Sequence, residues 1–326
     1  MTLLLLPSVV LHSILSLLHR SDLENLQGAC RQLRGLADNW SGQLRKRKIN
    51  RITIDLSVRS RAVLRVKCHG EPVFRQAFPI KRKNTDNGEE DLEEKVTVLT
   101  EGLLRLLKKI VRNAEIKCIV LSHANLDWET HSDFLLFLSS IKANKFVMEH
   151  SILRGFTSPS FLALCFGSGN TALDIQFCRF SKEEQLFDRE FFKKAAAQLK
   201  YLDLDQIAVY SDNIYDFCLN LDVDDETVVD LLKIEDVNLF YGSKVTCHGV
   251  NRIIKTLRSP RLPNCNLRNL RLHLYEIINY DRILSNLPFQ QKRDEYHFIS
   301  GNQRKMKMRL EPSTLTVDIW LDSKIV

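Results

Sequence analysis

Apolar and polar positions change period several times along the chain. In the first forty residues the apolar positions fall three and four apart. Val10, Ile14, Leu15 and Leu18 form one stripe after Pro7-Ser8. This predicts a helix whose first turn tolerates the proline. Ser21-Asp22 can cap a second helix, with Glu24 in its first turn, Leu23 and Leu26 apolar, and Gly28 interrupting. Cys30, Leu33, Leu36, Ala37 and Trp40 return at helical spacing and predict a third. Three such short helices hold too little core to be stable alone, so their apolar faces need a partner.

The period then drops to two. RITIDLSV, AVLRVKC and PVFRQAF alternate apolar and polar residues and predict a strand meander with Gly70-Glu71-Pro72 as a turn. KRKNTDNGEEDLEEK is a charge-mixed loop whose only apolar anchor is Leu92. From about residue 93, helix-like segments such as LTEGLLRLLKKIV, SDFLLFLSSIKA, SPSFLALCF and DREFFKKAAAQL alternate with strand-like ones such as IKCIVLSHANL, KFVMEHSIL, TALDIQF and KYLDLDQI. DETVVDLL, KIEDVNLF, VNRIIKTL and LRNLRLHL continue the alternation. This pattern predicts parallel strands joined by helical crossovers. Strand centres at Ile119, Val147, Ile175, Leu204, Val237 and Leu272 lie 28, 28, 29, 33 and 35 residues apart. The first intervals fit leucine-rich repeats of the longer, helix-containing kind, and L-x-x-L-x-L spacing recurs at Ile116, Ile119, Leu121 and at Leu199, Leu202, Leu204. The asparagine that usually follows the strand is missing, so an irregular array is expected. EYHFIS, RKMKMRL and STLTVDIW, with Pro312-Ser313 as a turn, predict a terminal antiparallel cap that closes the array's edge.

Composition narrows the class. The chain has 326 residues, 44% hydrophobic and 27% charged, which excludes disorder throughout. No apolar run reaches the roughly 18 to 20 residues that span a bilayer, so no membrane association is expected. The N-terminal MTLLLLPSVVLHSILSLLHR has no basic segment before Arg20, and no small-residue cleavage pattern follows; it reads as a helix rather than a signal peptide. The net charge is +7, but residues 1–80 carry 13 Lys/Arg against 5 Asp/Glu, and the remainder is nearly neutral. A nucleic-acid binder would distribute its basic charge differently, and none is expected as a partner. Arg45, Lys46, Arg47 and Lys48 read as a solvated, charged connector, with a nuclear-localisation patch as the other reading. Eight dispersed cysteines without a CxxC pair indicate reduced core residues and a cytoplasmic or nuclear setting.

The N-terminal residues carry a resemblance. Leu6-Pro7, Val10, Ile14-Leu15, Leu18, Asp22-Leu23, Leu26, Cys30-Arg31, Leu33-Arg34, Leu36 and Trp40 follow the ordered pattern of an F-box over about 38 residues. With the meander, the repeat-like body and the strand cap ending in VDIW, the chain resembles nematode F-box proteins with an F-box-associated C-terminal domain. The fold expected is therefore α/β: a three-helix F-box over residues 1–44, then an irregular leucine-rich-repeat-like α/β body over 49–326 with a terminal antiparallel strand cap. The resemblance implies a Skp-type adaptor as partner and, through it, a cullin. Leu6, Pro7, Val10, Ile14, Leu18 and Leu23 would be the adaptor-binding anchors. It implies a substrate-recognition subunit of a ubiquitin ligase, itself non-catalytic, that holds an unidentified protein client. A stand-alone repeat-type scaffold is the alternative.

Other chemistry is sparse. GxSxG, HExxH and P-loop motifs are absent, and no catalytic residue, metal or cofactor is expected. Gly167-Ser168-Gly169-Asn170 precedes a strand and reads as a turn. Cys68-His69 and Cys247-His248 are too far apart in sequence for a zinc motif. Asp222, Asp224, Asp225 and Glu226 lack the glycine and terminal glutamate of a calcium loop and read as a helix start. Client binding is expected on outward side chains of two strands: Tyr201, Asp203 and Asp205, and Arg271 and His273.

Overall fold

A computed structural model describes residues 8–17, 46–58, 61–68, 73–83, 96–98, 101–112, 114–181, 185–210, 221–240, 243–259, 265–299, 305–311 and 316–321. The fold is mixed α/β, built on one 13-stranded sheet. The first predicted helix is present as α1, Ser8–Leu17. Its stripe differs from the one read in the sequence: Leu11 and Leu15 are buried, whereas Val10 is 44% exposed and Ile14 half-buried. The helix thus carries two i, i+4 apolar pairs side by side, one buried and one only partly covered. The second and third predicted helices, with Leu6, Pro7, Leu18 and Leu23, lie outside the described residues.

The meander forms as expected: β1 (Arg47–Val58), β2 (Arg61–Cys68) and β3 (Phe74–Pro79) pair antiparallel in that order. One expectation fails at its start. Arg47 and Lys48, read as connector, belong to β1, where they stand opposite Ala114 and Glu115. An extended strand can keep a basic run in water, because alternate side chains leave the sheet while the backbone stays paired. Lys48 is exposed and the adjacent Ile49 fully buried. Between the meander and the array lie a two-stranded pair, β4 (Lys81–Lys83) with β5 (Val96–Val98), and helix α2 (Glu101–Val111).

The predicted alternation then appears in order. Six parallel strands, β6 (Ala114–Ser122), β8 (Ala143–Glu149), β10 (Ala172–Gln176), β12 (Tyr201–Asp205), β14 (Asp236–Phe240) and β15 (Asn269–His273), lie as consecutive neighbours, and every predicted strand centre falls on one of them. Helices α3 (Trp128–Ser140), α4 (Ser158–Phe166), α5 (Arg189–Gln198), α6 (Thr227–Asp230, continued by a 3-10 turn to Lys233) and α7 (Cys247–Arg258) make the crossovers and pack in a row.

The sequence pattern hid a corner. Four of the strand segments break and resume as β7 (Asn125–Asp127), β9 (Ile152–Arg154), β11 (Arg179–Ser181) and β13 (Ala208–Tyr210), which form their own parallel sheet. The break falls at His123, His150, Phe177 and Gln206, all non-glycine residues in the left-handed region, with φ of 52°, 50°, 53° and 47°. That conformation costs each of them roughly 1 kcal/mol or more. The ladder holds them there: His123, His150 and Phe177 each donate a backbone N–H to the neighbouring strand at 3.0 Å. Their rings stack, His123 on His150 at 5.0 Å and His150 on Phe177 at 4.7 Å. Just after the corner stand Ala124, Ser151 and Cys178. The Ser151 hydroxyl accepts the Ala124 N–H at 3.1 Å and donates to the Glu149 carbonyl at 2.9 Å. The Cys178 thiol donates to the Gln176 carbonyl at 3.3 Å.

Inward strand positions such as Leu173, Ile175, Leu202 and Leu204 are fully buried and join one core with the helices. At its centre Phe161 meets Phe156, Phe180, Phe187 and Phe191. Gly167–Asn170 is a turn as expected: Gly169 has φ of 71°, and the Gln198 amide donates to the carbonyls of Phe166 and Asn170.

The terminal strands are integral to the sheet. After β15 the chain passes through α8 (Tyr280–Leu284) to the far edge at β16 (Gln290–Lys292). It then works back through β17 (Glu295–Ile299) and β18 (Lys305–Glu311) to β19 (Thr316–Leu321), which pairs antiparallel with β15. No helix among the described residues is long and apolar enough to cross a membrane.

Candidate functional site

In each parallel strand the positions between the core leucines face away from the helices α3–α7. Strand register aligns them into rows. One runs Asp174 on β10, Asp203 on β12, Asn238 on β14, Arg271 on β15 and Asp318 on β19. The row beside it runs Tyr201, Asp236, Asn269 and Trp320. Three of the five residues predicted for client binding, Tyr201, Asp203 and Arg271, stand in these rows, because β14 alone separates β12 from β15. Asp205 and His273 stand two residues further along β12 and β15, Asp205 opposite Phe240 and the half-buried His273 opposite Thr316.

The expectation of freely outward side chains needs correction for two of them. Asp203 is 8% exposed, because Tyr201 and Asn238 close over it: the phenol donates to one carboxylate oxygen and the Asn238 amide to the other, both at 2.8 Å. Arg271 is committed to Asp318, with Nε donating to Oδ1 at 2.7 Å. Lys145 donates to Asp174 Oδ2 at 2.7 Å and lies over the Tyr201 ring, 4.6 Å from its centre. Asp236 accepts from the Asn269 amide. Tyr201, Asp203, Asp236, Asn238, Arg271 and Trp320 surround a recess of about 260 Å³. Asp174, Asn238, Asp236 and Asp318 escaped the sequence reading. The signal was there in the register, since the position between core leucines recurs in every repeat, but the antiparallel return of β19 has no counterpart in the repeat period.

Charge on this face is lopsided. Burial, and then the nearby Asp174, raise the pKa of Asp203, although its two hydrogen bonds oppose the shift. Burial and the charge of Asp203 raise that of Asp205. Three buried oxygens here have no hydrogen-bond partner: Asp174 Oδ1, Asp205 Oδ1 and Asn238 Oδ1. The Asn238 orientation follows from its amide hydrogens serving Asp203.

The other acidic cluster is structural. The Asp224 carboxylate accepts the backbone N–H groups of Glu226 and Thr227 and the Thr227 hydroxyl, with Arg189 alongside, and its pKa is lowered to about 2. Asp225 accepts from the backbone and hydroxyl of Thr246 at the start of α7, and so ties one crossover to the next. No group of three metal-ligating side chains occurs among the described residues. Cys68 sits in β2, next to one edge strand of the sheet, and Cys247 at the start of α7, on the crossover between β14 and β15 in its middle. Asp55, on the far side of the array, pairs with Arg65 at 3.0 Å.

No family model, curated protein or solved structure matches the chain.

Proposed function

We propose that the chain is the substrate-recognition subunit of a Skp-cullin-F-box type ubiquitin ligase. In this reading residues 1–44 are the F-box module, and the body from β1 onward is an irregular leucine-rich-repeat-like receptor. Ser151 and Cys178 would occupy the position that asparagine holds in regular repeats, their side chains bonding the corner backbone in its place. The role needs no chemistry of its own. It works by proximity, one end gripping the adaptor while the other holds a client whose lysines gain a high local concentration at the charged enzyme.

The observation that carries the reading is the side-by-side arrangement on α1. Leu11 and Leu15 are buried, while Val10 and Ile14, two positions of the F-box pattern, remain outside the buried stripe. An exposed Val10 with a half-buried Ile14 beside the buried stripe suits helix-face docking. The body complements it with a row of polar side chains fixed on a rigid sheet.

Co-expression with a Skp-type adaptor, followed by affinity measurement, tests this. The parent should form a one-to-one complex. Replacing Leu6 and Pro7 together with alanine should weaken it by roughly ten- to a thousand-fold, since truncating a buried anchor costs about 2 kcal/mol or more. Val10→Asp should do the same without altering the melting of the body. A parent that never binds the adaptor leaves the scaffold reading in its place.

A further inference from the structure

The geometry points to a cation-binding row on the sheet face opposite α3–α7, built from Asp174, Asp203, Asp205 and Asn238, which takes the lysine or arginine side chains of a basic protein segment. This rests on the reading of that face as the client surface and gives the client a chemistry.

The first observation is the balance of charge. Between β8 and β19 the side chains on this face include carboxylates at Glu149, Asp174, Asp203, Asp205, Asp236 and Asp318, against cations at Lys145 and Arg271 only. Both cations are engaged, Lys145 by Asp174 and Arg271 by Asp318. The flanking strand β18 adds Lys307 and Arg309 to the same face, opposite Trp320 and Asp318, so the excess of carboxylates is local to the strands from β8 to β15.

The second observation is independent of charge. Every partnerless buried side-chain atom on this stretch of the face is an acceptor: Asp174 Oδ1, Asp205 Oδ1 and Asn238 Oδ1. Asp174 is the most telling, because its side chain is only 10% exposed and Lys145 serves just one of its two oxygens. A buried acceptor without a donor costs free energy. What the row lacks is N–H donors, and an ammonium brings three while a guanidinium brings five. Asp174 and Asn238 share one row, with Asp203 between them, and Asp205 stands two residues further along β12. The recess beside them, about 260 Å³ between Tyr201 and Trp320, is lined by Asp203, Asp236 and Asn238. That volume receives a single long basic side chain, with the rest of the segment lying over the face. The raised pKa values of Asp203 and Asp205 agree: an incoming cation relieves the burial and mutual repulsion that raise them.

The test uses the full chain, isotope-labelled, with no adaptor present. Three capped nonapeptides of glycine and serine serve as probes, carrying two arginines, two lysines or two glutamines. Amide shifts are followed at low salt, where electrostatic binding is least screened. The arginine and lysine peptides should give saturable shifts at residues 174, 203, 205 and 238, and the glutamine peptide none. Asp205→Asn, which removes no ion pair, should weaken binding about tenfold, and Asp174→Asn with Asp205→Asn further still. Asp205→Asn should melt at or above the parent temperature, and the double variant, which also loses the Lys145–Asp174 ion pair, should still melt cooperatively. Equal binding of the glutamine peptide, shifts located elsewhere, parent-like binding by the double variant, or no saturable binding at all would each overturn the proposal. So would shifts at these residues produced by calcium or magnesium and by neither basic peptide. Because adaptor capture is measured separately on α1, a failure here leaves the ligase reading standing, and a failure there leaves this one.

Discussion

Single residues on the polar face are strained in a way that can be measured without any partner. The Asp205 pKa is raised first by burial and then by Asp203, so the folded state holds its proton more tightly than the unfolded chain does. A carboxyl with a raised folded pKa contributes stability below its unfolded pKa and loses it as pH rises through the folded value. At neutral pH the ionised Asp205 is therefore a burden. Asp205→Asn should raise the melting temperature at pH 7. The gain should shrink as pH falls toward 4, which paired thermal melts of variant and parent will show; a gain that is constant with pH rules out ionisation as its source. Asp224 has the opposite sign: lowered to about 2, it supports the fold above the ordinary carboxylate range and loses that support as the medium becomes strongly acidic. Much of this was visible in the sequence, since alternation alone places Tyr201, Asp203, Asp205 and Arg271 between core leucines. Alternation does not say which strands are neighbours, and so it missed that Asn238 and Asp318 would engage Asp203 and Arg271.

At the scale of the element, the strand–helix alternation was legible because each strand centre and each crossover helix carries its own apolar period. The α4 helix matches its predicted segment residue for residue, with Thr157 and Ser160 forming a reciprocal capping box at its start. The corners were illegible for a physical reason. His123, His150, Phe177 and Gln206 adopt positive φ without glycine, and for the first three the ladder and ring stacking around them explain it. Helix α4 also bears the residue on which packing between repeats depends most. Phe161 is fully buried and meets four other phenylalanine rings contributed by its own repeat and the next. Phe161→Ala should cost about 3 to 5 kcal/mol. Denaturant titration should show this as a lower midpoint with an unchanged slope, whereas a cost under about 1 kcal/mol would mean that the neighbouring rings collapse into the space.

At the scale of the whole molecule, the array is bounded by antiparallel strands on both sides, a meander before it and a returning set after it. The order of elements could be read from the sequence. The insertion of β19 beside β15 could not, because pairing between strands so far apart leaves no local signature. Two truncations separate the roles of the ends. A chain beginning at residue 46 retains all of β1 and should melt cooperatively, whereas one beginning at 49 loses the ladder positions of Arg47 and Lys48 and should melt earlier. A chain stopped at residue 315 should be insoluble, since it loses the buried Val317, Ile319 and Leu321 and opens the edges of both β15 and β18. Sedimentation and circular dichroism of the three products will decide.

The position of β19 also sets a timetable for synthesis. The meander and the repeats can stack in the order in which they leave the ribosome, each new unit covering the one before. The last repeat cannot be covered in that way, because its neighbour is the final described strand. Until residues 316–321 emerge, β15 waits with an unpaired backbone, and the strands from β16 to β18 have nothing to dock on. A ribosome that stalls late in the message would release a product already folded over most of its length yet adhesive at one edge, a species suited to early capture by chaperones or proteases.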